Sequence, residues 1–157
     1  MSNDKPTSPT VLPRTLYLLN QTNQAARTCL EVNLRELKLT GLQYTIMTII
    51  RARPGISSAQ LSRRFFVSPQ TMNEIVTGLE KRGLLQRETS DQNRRVLVTH
   101  LTQEGEALLA QCDSIADRVE ALAFDALNPE ELNALRGLLR RLMQHHRDTG
   151  LGKTLLD

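Results

Sequence analysis

Between Ser57 and Leu101 the chain carries two closely spaced helix-start signals and then changes its hydrophobic period. Few folds accommodate that order. Ser57 with Gln60 is a capping-box pattern, and it opens a short helix through Ala59, Leu61 and Phe65. Ser68-Pro69 marks a second start, with the serine as N-cap and the proline at the first helical position, where its missing N–H costs nothing. Met72, Ile75, Val76 and Leu79 then recur on one face, and Gly83 closes the helix. Two short helices joined by a tight turn form a helix-turn-helix pattern. Strand-like runs at 84–88 and 96–101 follow, around a polar, turn-forming stretch at 89–95 that contains Arg94 and Arg95. The expectation is a β-hairpin with a basic tip, a wing.

Helical patterns flank this module. Leu16, Leu19, Cys29, Leu30, Leu34 and Leu37 predict one helix over 13–37, with a polar middle at 20–24 that either faces water or lines a cavity or a partner. Thr40 and Gln43 form another capping box, before a helix that Arg53-Pro54-Gly55 ends. Thr102 caps a long helix through Leu109, Ile115 and Leu122, and Asn128-Pro129 with Glu131 starts a last, leucine-rich one. The fold class is therefore mainly α with a small β-hairpin wing. The expected organisation is a disordered tail at 1–11, a single domain at 12–147 and a flexible tail at 148–157. Within the domain, a lobe at about 40–101 stands between helices at 12–38 and 102–147.

Charge is unevenly distributed. From Arg51 to Arg95 nine basic residues face four acidic ones, a net +5, within a chain whose total is +3. A cationic segment between near-neutral or acidic flanks suits a surface that meets phosphates. Aromatic residues make up only 3% and Trp is absent, so the core must be aliphatic. The polar start, the lack of a long apolar run and the two cysteines, Cys29 and Cys112, predict a cytoplasmic protein with reduced thiols. No metal or cofactor is expected. Nor is an enzyme, because His100, His145 and His146 are not spaced with a nucleophile or carboxylates as catalysis requires.

The ordered set of motifs resembles the MarR (multiple antibiotic resistance regulator) family over about residues 12–147. It comprises Leu39-Thr40-Gly41-Leu42-Gln43-Tyr44, Leu61-Ser62-Arg63-Arg64, Ser68-Pro69-Gln70-Thr71-Met72, Leu79-Glu80-Lys81-Arg82-Gly83-Leu84-Leu85, Arg94-Arg95 and Leu101-Thr102-Gln103-Glu104-Gly105. One departure stands in the wing, where the family often has two acidic residues and this chain has only Asp91, near Ser90 and Asn93. The resemblance implies a homodimer, joined through its N- and C-terminal helices, that represses transcription from a pseudo-palindromic site on double-stranded DNA. It also implies release by a small aromatic or phenolic effector bound between the dimerisation helices and the winged lobe.

Carried onto this chain, the second helix of the helix-turn-helix enters the major groove. Gln70, Thr71, Asn73, Glu74 and Thr77 lie on its open side, and Gln, Asn and Thr suit base edges. Ser68 and the first-turn N–H groups suit a phosphate, as do Arg63 and Arg64, while Arg94 and Arg95 reach the minor groove. Tyr17, Tyr44, Met47 and His100 are the candidate effector-pocket residues. Two other functions compete: a winged-helix module that binds protein, and an oxidant sensor working through cysteine. Cys29 has no nearby Lys/His cluster that would clearly make it a thiolate, and the central charge disfavours the protein-binding module.

Overall fold

Local capping decides where the helices begin. The structure, a computed structural model, describes residues 14–90 and 93–150. Among these residues six α-helices lie in the order α1 Thr15–Leu34, α2 Gly41–Ala52, α3 Ser58–Phe65, α4 Pro69–Lys81, α5 Gln103–Ala123 and α6 Pro129–Thr149. Thr40, Ser57 and Asn128 each complete a capping box, with Gln43, Gln60 and Glu131 as the third helical residues. Ser68 accepts from the Thr71 N–H at 3.0 Å, with Pro69 in the first turn, and Thr102 accepts from the Gly105 N–H at 3.0 Å.

One boundary differs from the sequence expectation. The first helix does not run to residue 37. It ends at Leu34 and continues as a 3-10 turn, Arg35–Leu37, closed by Lys38 in the left-handed region at φ 53°. Arg82 explains the break, because its Nη1 donates to the Lys38 carbonyl at 2.7 Å and ties this turn to the end of α4. The tight turn between α3 and α4 likewise rests on Phe66 at φ 53°, a conformation sequence patterns assign to glycine or asparagine.

The hairpin is part of a three-stranded antiparallel sheet. Strands β2 (Leu85–Thr89) and β3 (Leu97–Leu101) pair in register Leu85↔Leu101 to Thr89↔Leu97, and β1 (Ile56–Ser57) adds to the other edge of β3. Thr99, fully buried on the central strand, donates its hydroxyl to the Ile56 carbonyl at 2.6 Å. The two-residue β1 carries no periodic signal of its own, so only pairing with a distant strand reveals it.

The core is centred on the winged lobe and shared with the end of α1 and with α5. Leu34 from the end of α1 joins Ile46, Met47 and Ile50 of α2, Leu61 of α3, Met72, Val76 and Leu79 of α4, Leu85 of β2, and Leu109 and Cys112 of α5. Helix α6 contributes no buried residue, and Leu138, Leu139, Leu142 and Met143 along it lie open. The first turns of α1 are equally uncovered, with Leu16 79% exposed. The polar middle of that helix faces water in the single chain.

Lobe and flanking helices meet where β3 runs into α5. Thr102 donates its hydroxyl to the Gly83 carbonyl at 2.6 Å, and its N–H bonds the Leu84 carbonyl at 3.2 Å. A Cβ at Gly105 would stand 2.1 Å from that same Leu84 oxygen, so only glycine allows the approach. Because the obstacle is backbone, Gly105→Ala should destabilise by about 1–3 kcal/mol, the cost of an overpacked contact. Thermal melting would show this as a fall of several degrees in Tm, and an unchanged Tm would contradict the contact.

Candidate nucleic-acid interface

The surface is set by how α3, α4 and the wing converge. A groove of about 680 Å³ runs between them, and Arg63, Asn73, Arg87, Asn93 and Arg95 line it. Three residues singled out from sequence, Arg63 of α3, Asn73 of α4 and Arg95 of the wing, are thus brought to one place. Arg63, Arg94 and Arg95 are exposed and have no carboxylate partner among the described residues.

The wing tip is braced by Asn93, whose Oδ1 accepts from the Arg95 N–H at 3.0 Å, while the Val96 N–H bonds the Asn93 carbonyl at 2.9 Å. An asparagine turn therefore contributes bracing at a tip that lacks the family's second acidic residue.

The open side of α4 is less free than its sequence suggests. Gln70 donates to Glu74 Oε1 at 3.1 Å, and Thr71 and Ser68 share a hydroxyl–hydroxyl bond of 2.8 Å. Asn73 and Thr77 both contact Arg87, a residue not singled out by sequence, which reaches across from β2. Its Nε donates to Glu80 Oε2 at 2.8 Å and its Nη2 bonds the same oxygen. The guanidinium holds the Glu80 carboxyl below its ordinary pKa. A signal was present in the alternation of β2, where Arg87 follows buried Leu85 by two places and so shares its inward face.

Net charge therefore overstated the cationic surface. Arg51 pairs with Asp113 at 2.7 Å, Arg82 caps the turn after α1 and Arg87 pairs with Glu80. Three of the nine basic residues in the segment serve internal contacts.

A second cleft, about 910 Å³, opens on another side of the lobe, between the Arg53–Ile56 turn, α3, the start of α4 and the end of α6. Arg53, Arg63, Arg64, His146 and Arg147 border it, with Ile56, Phe66 and Val67 as apolar wall, and among the described residues no carboxylate lines it. Burial, and then repulsion from Arg53 and Arg147, holds the Arg64 guanidinium below its ordinary pKa. Arg64 thus faces a cationic cleft and not the groove beside the wing.

The four candidate pocket residues line neither cleft. Tyr17 is exposed on α1, Met47 is fully buried in the core, and His100 Nε2 lies 2.8 Å from Glu88 Oε1 on the neighbouring strand. Tyr44 donates its hydroxyl to Asp113 Oδ1 at 3.0 Å, and burial, followed by that carboxylate, pushes its pKa up to about 12. Cys112 is buried, which pushes its thiol pKa up, and Cys29 is half-buried.

The sequence profile of the MarR family matches residues 37–96. The transcriptional regulator HosA of Escherichia coli is 33% identical over 105 residues, which span 67% of this chain and 78% of that protein. The chain belongs to the MarR family. It is a transcriptional regulator of winged-helix fold. A crystal structure of MarR superimposes with a TM-score of 0.78 at 25% identity, covering 92% of this chain and 97% of that one. The MarR-family protein Rv2887 of Mycobacterium tuberculosis, solved with salicylic acid, gives 0.68 at 27% identity over 83% of this chain and 97% of its own. Among the described residues no helix is long and apolar enough to cross a membrane.

Asp113 joins the lobe to α5 by receiving Tyr44 and Arg51 of α2 together. Its carboxyl is held below the usual 3.8, first by the Arg51 hydrogen bond. A depressed folded-state pKa stabilises the protein above the unfolded value and loses that contribution as pH falls through the folded one. Asp113→Asn should therefore lower Tm at neutral pH, and the difference from wild type should shrink as the pH drops below about 4. A Tm difference independent of pH would contradict this role.

Proposed function

We propose that this MarR-family regulator is a homodimeric repressor that reads double-stranded DNA through α4 and grips it with the wing. The convergence of Arg63, Asn73 and Arg95 on one groove carries the reading. In it, α4 enters the major groove, with Gln70, Thr71, Asn73 and Thr77 toward the base edges and Ser68 at the phosphate-facing N-terminus. Arg94 and Arg95 lie along the minor groove, and Arg63 meets the backbone. The bare leucine faces of α1 and α6 join two chains, so the two α4 helices stand about 34 Å apart over a pseudo-palindrome. A winged-helix module that binds protein would not need two arginines at the wing tip.

The cationic cleft is the proposed effector site. Guanidinium groups above an apolar wall suit an aromatic carboxylate, and the mycobacterial relative was solved with salicylic acid. Because α6 closes one side, an occupant that favours one lobe-to-helix arrangement shifts the population away from the DNA-competent spacing.

Titration against labelled duplex from the intergenic region beside the protein's own gene tests both proposals, with random duplex as competitor and several salt concentrations. Specific binding that survives competition is the expected result. Arg95→Ala should weaken it and flatten the salt slope by about 0.9 for each phosphate the variant no longer neutralises. Salicylate should weaken binding by wild type but not by Arg64→Ala. Equal binding to both duplexes, or an unchanged slope, would refute the DNA assignments. Equal salicylate responses would refute the effector site.

A further inference from the structure

We propose that Arg87 is a positioning residue that fixes which edge of Asn73 is offered to a base, and thereby sets base selectivity at one position of each half-site. The inference rests on the reading that α4 lies in the major groove.

Asn73, Thr77 and Glu80 occupy one face of α4, spaced so that a single planar group can touch all three. Arg87 does so from β2. Its Nη1 donates to Asn73 Oδ1 at 3.1 Å, its Nη2 to Thr77 Oγ1 at 3.2 Å, and its Nε to Glu80 Oε2 at 2.8 Å. The side chain is only 18% exposed and its charge is committed to Glu80, so it is not available to a phosphate.

A guanidinium has five N–H donors and no acceptor. An asparagine amide facing it must therefore present oxygen, which settles the orientation of Asn73 and turns Nδ2, with its two N–H groups, away from Arg87. Thr77 is constrained in the same sense, because its oxygen accepts from Arg87 and its own O–H remains to donate. What α4 offers at this point is a donor. In the major groove guanine, adenine and thymine present acceptors at N7, O6 or O4, whereas cytosine presents only its amino donor. The base beneath Asn73 is then an acceptor base, and cytosine is rejected there.

The test measures affinity for duplexes carrying each base at every half-site position, for wild type, Arg87→Met, Arg87→Lys, Asn73→Ala and Asn73→Ala/Arg87→Met. Thermal melting of each variant serves as the folding control. Arg87→Lys keeps a cation near Glu80 but lacks the fork that reaches Asn73, so it answers the question should Arg87→Met not fold.

Wild type should disfavour cytosine by roughly tenfold at one position, within the usual range for a mispaired base contact. Asn73→Ala identifies that position by erasing its preference. Arg87→Met and Arg87→Lys should flatten the same position with an unchanged salt slope, and Arg87→Met should add nothing in the Asn73→Ala background. The proposal is overturned if Arg87 variants weaken all duplexes equally with a shallower slope, relax a different position, or act additively with Asn73→Ala. Should wild type prefer no duplex at all, the DNA-reading assignment itself fails.

Discussion

Arg87 enters the lobe from the inward face of β2 and places one guanidinium against Asn73, Thr77 and Glu80 of α4. Helix and wing would otherwise be joined chiefly by the short connection around Gly83 and by apolar contact. The fork makes them one body, because a planar group with several donors engaged cannot shift without breaking them together. The groove shared by Arg63, Asn73 and Arg95 has a defined width only while that body holds. Pairing β1 onto β3 extends the constraint to the start of α3, so all three elements around the groove refer to one small sheet.

A second set of contacts connects this body to the long helices. Leu84 sits against the first turn of α5 at Gly105, and Asp113 farther along α5 receives Tyr44 and Arg51 of α2. Both ends of the joint are polar and geometrically specific, where an apolar surface would slide. In the proposed mechanism this stiffness lets an occupant of the cleft beneath α6 reorient the whole lobe, since force applied to one element is shared by the rest. Arg63 borders both the cationic cleft and the groove beside the wing, so the two sites share a side chain.

What the sequence revealed was mostly local. Thr40, Ser57, Ser68, Thr102 and Asn128 all cap the helices expected of them, because a cap and its partner lie within one turn. The period change into the wing was legible for the same reason. Features decided by distant residues were not. The 3-10 break after Leu34 depends on Arg82, forty-odd residues on, and β1 exists only by pairing with β3. Net charge could not reveal that Arg51, Arg82 and Arg87 are each engaged internally. Tyr44 and Met47 carried the residue types of a ligand pocket, yet one is tied to Asp113 and the other is sealed in the core.

The core joins the lobe to the end of α1 and to α5, while the leucines of α6 and the start of α1 remain bare, a distribution that a second chain would complete. Two lobes related by a two-fold axis then present two α4 helices to one face of the duplex. Hydroxyl-radical footprinting on the preferred duplex examines that arrangement most directly. A two-fold dimer predicts two symmetry-related protected patches with centres about one helical turn, roughly 10 base pairs, apart. A single protected patch, or patches whose spacing does not follow the helical repeat, would contradict it.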